Sequence, residues 1–539
     1  MAVIQISRIQ VRRGQKEQGS GIPQLASGEF GWAMDSQELF IGNGSVSEGA
    51  PQVGNSKILT EHDNLFELAD TYSYQTGGIV LTGPTANSPI KRTLQARLDD
   101  RVSIRSFGAN GDGTDQTAQL QRAIDQLFLN EATKGSEESR VVLHLEPGVY
   151  LLGDSLKVPP HATIVGAGQE KTIIKQVVDA PIFETVNNTS TPGTYADDSS
   201  STFLTQAQYI RIEGMTLDSV ATSSVMYLKS CRNSMFKNIK IKGYWESGDA
   251  IDSSVAGIRL DSLSTLVTCK DNTFDNIEFT GLDTAVSSDF DIKDNHWQNC
   301  QFETLGYGVV FGATATIGSQ GQLTGPERNM IHSSVFEEID RQAFWVEAGK
   351  KNSSSHNTFR NVGNVGGTEA NAQYSVIKFT QGQNDSVDDI FERTELLGYD
   401  QEYIELSPYV SEIEGVVHTS IGGHHRLNLG QRNDFITLFR LPGDFTRRFT
   451  IDYNYKSIDF NAQRSGTLEI VLDKSSNTMH TVDDYYYLGD SLLESNFEWE
   501  IDRADLDSDT ILETILVKVK NTTANDVATV TYNINIQTN

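Results

Sequence analysis

Between residues 212 and 390 the chain returns to one cadence: apolar, any residue, Asn, Gly or Ser, apolar, any residue, apolar. It is carried by Ile212-Glu-Gly214-Met215, Phe236-Lys-Asn238-Ile239, Phe274-Asp-Asn276-Ile277, Trp297-Gln-Asn299-Cys300, Ile331-His-Ser333, Phe359-Arg-Asn361-Val362 and Val387-Asp-Asp389-Ile390. Successive starts lie 24, 38, 23, 34, 28 and 28 residues apart. Alternation on both sides of a small polar residue reads as two short strands joined by a bend, since alternate side chains share a face and Asn or Gly tolerates a left-handed backbone. A unit of roughly 22–25 residues that recurs in this way is one coil of a solenoid, with neighbouring coils burying each other's apolar faces. The expected architecture is all-β, a right-handed parallel β-helix. Cys300 falls in an inward apolar slot. The longer units carry insertions, Tyr244–Asp252 in one and Gly312–Glu327 in another.

The pattern changes on either side. Upstream, Leu120, Ala123, Ile124, Leu127 and Phe128 form one apolar stripe at helical spacing, behind Asp115 as a capping residue. That helix would cover the open end of the first coil. Residues 1–60 alternate strand-like segments with turns such as Gly42-Asn43-Gly44, and are too few to bury much surface alone. Residues 61–100, with Leu94 and Leu98 at helical spacing, read as a neck. Beyond about residue 411 the coil cadence stops. Phe435–Phe439, Phe449–Tyr453, Gly466–Leu472, Ile511–Val519 and Ala528–Ile536 read as antiparallel strands of a β-sandwich. The expected divisions are therefore 1–60, 61–100, 101–410 and 411–539.

Two stretches resemble known families. Arg12-Arg13-Gly14, Pro23 to Gly31-Trp32, Asp35 and Leu39 to Gly44 resemble the N-terminal domain of phage receptor-binding proteins of the major tropism determinant type. Val102 to Phe107-Gly-Ala-Asn-Gly111-Asp112-Gly113 and Asp115, followed by Pro147-Gly148-Val-Tyr150 and Ile164-Val-Gly166-Ala-Gly168, resembles the opening of pectate-lyase-like β-helices in phage tailspikes and polysaccharide-cleaving enzymes. The first resemblance implies a trimer docked to a phage tail or baseplate protein. The second implies a tailspike-like protein that meets host surface polysaccharide. Gly111-Asp112-Gly113 is read as a turn, because no Lys-Ser/Thr follows as a phosphate loop requires.

Bulk properties narrow the partners. The formal net charge is −29 over 539 residues, and no Lys/Arg cluster stands out, which argues against nucleic acid. No apolar run approaches the roughly 18 residues that span a bilayer, and Met1-Ala-Val-Ile-Gln-Ile has no secretory signal pattern. The expected route is synthesis in the host cytoplasm and residence in a virion. Cys231, Cys269 and Cys300 form no CxxC pair and read as buried thiols rather than metal ligands or disulfides. No cofactor or metal is expected.

Candidate chemistry sits at the insertions, where solenoids tend to bind ligands. Tyr244 and Trp245 beside Glu246, Asp249 and Asp252 combine rings that pack on sugar faces with carboxylates that accept hydroxyl hydrogen bonds. Glu337, Glu338, Asp340, Phe344 and Trp345 form a second such group, and Asp289, Asp291 and Asp294 a third. Cleavage of a glycosidic bond would need two of these carboxylates on either side of it, with Glu246, Asp249, Glu337 and Asp340 as the candidates. Tyr244, Trp245 and Trp345 are the expected binding residues. Two functions stay open at this point: attachment to polysaccharide without turnover, and depolymerisation by hydrolysis or elimination. The inserted loops could alternatively contact neighbouring subunits.

Overall fold

The computed structural model describes residues 11–60, 101–129 and 141–538. It leaves out short stretches within them, the longest at 313–324, 364–373, 393–403 and 407–419. The expected neck at 61–100 and most of the Gly312–Glu327 insertion lie outside the described residues. The chain divides into two compact units, 1–100 and 101–539.

In the first unit, Arg12–Gly14, Phe30–Ala33, Glu38–Gly42 and Asn55–Ile58 form one sheet in chain order. The first pair is parallel and the others antiparallel. Leu25, Ala33 and Phe40 make its small core. Gly42 lies where a Cβ would come within 2.2 Å of the Ala26 carbonyl, which accounts for the glycine in that turn motif.

The second unit is a parallel β-helix of three ladders. The first ladder passes in register through Val102, Leu143, Ile164, Ile212, Phe236, Phe274, Trp297 and Ile331, then Ser354, Ser386 and Ile421. The cadence thus holds over five coils and then slips. Phe359 belongs to the second ladder, below Phe279, Phe302 and Phe336. Val387 sits one residue past the inward Ser386. Two corners of each coil bend in the same way, and this explains the slip. Gly214, Asn238, Asn276, Asn299, Ser333, His356 and Asp388 hold positive φ at one corner, Thr304, Glu338 and Asn361 at the other. An apolar residue two places before a bend marks either corner equally. Parallel pairing also continues past residue 411, through Ser420–Gly422 and as far as Phe439.

Aromatic rings stack from coil to coil inside the second ladder. Centroids lie 4.9 Å apart for Phe279–Phe302, 4.2 Å for Phe302–Phe336 and 4.9 Å for Phe336–Phe359. A second column is polar. Asn272, Asn295, Asn329, Asn352 and Asn384 are fully buried, and each side-chain NH2 donates to the amide oxygen of the next at 2.8–2.9 Å. Each of these oxygens also accepts the backbone N–H of the preceding Asn. Stacked coils repeat every donor and acceptor, so a buried amide column satisfies itself.

The helix Thr117–Phe128 follows the first strand pair. Its buried residues include Leu120, Ala123, Ile124 and Phe128. Asp115 accepts the Thr117 N–H at 3.0 Å. Gln121 bonds both backbone groups of Lys157, at 2.7 and 3.2 Å, and so occupies the open edge of the third ladder. The motif glycines Gly111 and Gly148 press together, and a Cβ on Gly111 would meet Gly148 Cα at 2.8 Å.

At the far end the coil passes directly into a sandwich. His425–Leu429 and Ile436–Pro442 still pair with the parallel strands Ile390–Glu392 and Ile404–Leu406. They also begin two antiparallel sheets. One runs His425–Leu429, Ala528–Thr538, Thr446–Ser457, Ala462–Asp473, Thr478–Leu488. The other runs Ile436–Pro442, Thr514–Asn521, Phe497–Ala504. Their inner faces meet through Tyr455–Phe497 at 4.4 Å and Tyr453–Trp499 at 5.2 Å.

Asp389 ends a further buried column, Cys300, Ser334, Asn357, Asp389, in which each backbone N–H donates to the next side chain. Burial raises its pKa to about 6, against hydrogen bonds from the Asn357 N–H and the Ser354 and Ser386 hydroxyls. A carboxyl whose folded pKa lies above its unfolded value stabilises the fold below about pH 4. It loses that contribution, roughly 3 kcal/mol, as pH rises through about 6. Asp389→Asn should therefore raise the urea midpoint at pH 7.5 and flatten its dependence between pH 4 and 6. An unchanged pH slope would show that Asp389 does not titrate there.

Candidate functional site

The strand Met235–Lys242 leaves its ladder at Gly243, and the insertion that follows is anchored at several points. Trp245 N–H donates to the Gly281 carbonyl at 2.9 Å, and the Asp252 N–H to Asp283 Oδ1 at 3.1 Å. Asp340, three coils further along, accepts the Ser247 hydroxyl at 2.5 Å and the Gly248 N–H at 3.0 Å. Asp249 folds back on the Glu246 N–H at 3.1 Å. The ordered loop borders a cavity of about 250 Å³, lined among others by Val220, Tyr244, Trp245, Asp249, Leu282 and Asp283.

The two aromatic rings take different roles. Tyr244 is 53% exposed, and its hydroxyl lies 3.0 Å from Lys175 Nζ and 3.3 Å from Asp218. Trp245 is 7% exposed, so its ring packs against the coils although the insertion that carries it interrupts them. Its indole N–H is buried and meets no acceptor among the described residues. A buried donor without a partner costs free energy until a ligand oxygen fills the place.

Of the four candidate carboxylates, Glu246 and Asp249 stand exposed on the loop, and Asp249 lines the cavity. Asp340 holds the loop through Ser247 and Gly248. Glu337 is separate from the cavity lining and points outward on the second ladder, 4.0 Å from Arg360. Trp345 joins a different cluster: it lies 5.8 Å from Tyr307, Lys378 lies over its ring, and its indole donates to Thr380. Arg341 donates to the Tyr307 hydroxyl at 2.8 Å. In the third acidic group Asp294 is paired with Arg328 at 2.7 Å, and Asp289 lies outside the described residues.

Sequence reasoning passed over Asp283. It is half-buried in the strand Thr273–Ser288, and burial pushes its pKa up, reinforced by the like charges of Asp252 and Asp249. The available signal was an acidic residue two places after Gly281, in the short stretch Leu282-Asp-Thr-Ala-Val286. A carboxyl inclined to keep its proton, beside an exposed carboxylate, is the pairing that acid-assisted glycoside cleavage uses.

Residues 101–321 match the model of the rhamnogalacturonase A/epimerase, pectate lyase-like family. The protein carries a pectate-lyase-like β-helix. A phage-related protein of Bacillus subtilis (strain 168), YobO, is 30% identical over 145 residues. That match covers 25% of this chain, and the chain spans only 15% of that relative's length. Among solved structures, the gp42 tailspike of Acinetobacter phage vb_AbaP_AS12 is 9% identical over 93% of this chain and 96% of its own, with a TM-score of 0.35. Alginate lyase from Paenibacillus sp. strain FPU-7 is 10% identical over 63% of this chain and 97% of its own, with a TM-score of 0.38. The pectate-lyase-like segment includes both the 244–252 insertion and Asp283.

Proposed function

We propose that this chain is a phage tail protein that binds host surface polysaccharide in the cavity beside the 244–252 insertion. One observation carries the reading: Trp245 lines that cavity together with the exposed Tyr244 ring and the Asp249 and Asp283 carboxyls, and its buried indole N–H has no partner among the described residues. Rings offer apolar contact to sugar faces, and the carboxyls and the indole complement hydroxyls. The phage-related relative and the motifs at Arg12–Gly14 and Leu39–Gly44 support placement in a virion. On this reading the N-terminal sheet attaches the chain to a tail or baseplate protein, and the protein works as a homotrimer.

Trp245→Phe keeps a buried aromatic ring and removes the donor, so it tests binding with a smaller void than alanine would open. Attachment to the host polysaccharide should weaken about 3- to 10-fold, the range of one hydrogen bond. Unchanged attachment would move the site elsewhere.

The raised pKa of Asp283 favours a second reading, cleavage of the bound polymer with Asp283 as general acid. Asp283→Asn would then abolish oligosaccharide release while retaining attachment. A wild-type protein that releases no oligosaccharide from its own host polymer would leave binding as the whole function.

A further inference from the structure

The C-terminal sandwich opens between its two outermost strands, Thr478–Leu488 of one sheet and Phe497–Ala504 of the other. The opening holds a cavity of about 640 Å³, lined among others by Arg464, Tyr485, Glu494, Phe497, Glu498 and Trp499. The Arg464 side chain is only 8% exposed, and its bonds are all within the protein. It pairs with Asp483 and donates to the Tyr453 hydroxyl at 2.9 Å and the Phe497 carbonyl at 2.8 Å. Its guanidinium lies 3.6 Å from the Tyr485 ring centroid and so fixes that ring at the cavity wall. Trp499 is held edge-on against Phe497 at 5.7 Å. Its indole N–H is buried without an acceptor among the described residues, the same situation as Trp245 in the first cavity.

From these features we infer a second carbohydrate site, in the sandwich, that takes a neutral pyranose. Two oriented rings give the apolar face, and the Trp499 N–H and the Glu494 carboxylate give a donor and an acceptor for ring hydroxyls. Charge sets the specificity. Arg464 is matched by Asp483 and Glu498 by Lys520 at 3.2 Å, which leaves Glu494, hydrogen-bonded to the Tyr485 side chain, as the lining carboxylate with no cation beside it among the described residues. An acidic sugar placed there would meet a like charge in a partly desolvated pocket. The site stands on its own observations and does not depend on the β-helix cavity.

The test uses the full chain with cellotriose and its uronic-acid counterpart, followed by saturation-transfer NMR. Cellotriose should bind saturably, and the acidic trimer at least about tenfold more weakly, the effect of one unfavourable charge contact. Trp499→Phe should weaken cellotriose about 3- to 10-fold, while Trp245→Phe leaves it unchanged. Glu494→Gln, a substitution at a partly exposed site outside the ring cluster, should bring the two trimers within about threefold of each other. The site is refuted if cellotriose fails to saturate or if both trimers bind equally to the unmodified protein. Loss of binding in Trp245→Phe and not in Trp499→Phe would assign the sugar to the β-helix cavity instead.

Discussion

Cys300→Asp should abolish folding of the β-helix, while Cys300→Ser should keep it. Cys300 is 1% exposed, and burial pushes its thiol pKa up to about 12, so the site already disfavours charge. Its sulfur lies 3.4 Å from the Gln298 carbonyl and 3.7 Å from that of Phe274. A carboxylate there would face two carbonyl acceptors and the like charge of Asp275, in a site where burial outweighs the nearby backbone N–H groups, at a cost of several kcal/mol. A serine hydroxyl can donate to the same carbonyls. Soluble yield and urea midpoints of the two variants check this. A folded Asp variant with the wild-type midpoint would mean that Cys300 is not enclosed by its neighbouring coils.

Asn329→Leu should be nearly as damaging, although it replaces a polar residue with an apolar one of similar size. Asn329 Oδ1 accepts both the backbone N–H of Asn295, at 3.1 Å, and its side-chain NH2, at 2.9 Å. Leucine leaves both donors buried without a partner. At about 1–3 kcal/mol for each, the loss is roughly 2–6 kcal/mol. The midpoint of urea unfolding followed by circular dichroism should fall accordingly. Asn329→Asp should be partly rescued by acid, because only the protonated carboxyl can donate, through its single O–H, to either the Ile292 carbonyl or Asn352 Oδ1. A midpoint for Asn329→Leu equal to that of wild type would show that the column is not a source of stability.

The same column shows how a better reading frame was available in the chain. Asn272, Asn295, Asn329, Asn352 and Asn384 each stand two residues before an inward slot: Phe274, Trp297, Ile331, Ser354 and Ser386. Counting asparagines rather than apolar residues follows the first ladder through the coils where serine replaces the ring. Apolar cadence failed at Phe359 because both corners of the coil use a positive-φ residue behind an aromatic one.

Alternation, bends and the helical stripe were local properties, and they were enough to define an all-β solenoid with a covering helix. Inward slots are chosen residue by residue, so Cys300 could be placed in the stack from its neighbours in sequence. Pairing across coils is different. Phe497-Glu-Trp499-Glu-Ile501 alternates in the chain itself and was legible there. The edge strand Thr478–Leu488, by contrast, carries little apolar alternation and exists because its partner in the sandwich supplies its hydrogen bonds. The candidate site has the same origin. Asp340 lies 93 residues from the Ser247 hydroxyl it holds, and Asp283 lies 31 from the Asp252 N–H it accepts. Residue types at an insertion can suggest sugar chemistry. Which ring is buried, which carboxyl has its pKa raised and which is spent on holding the loop were decided only when the coils stacked, because desolvation and hydrogen bonding depend on neighbours far apart in the chain.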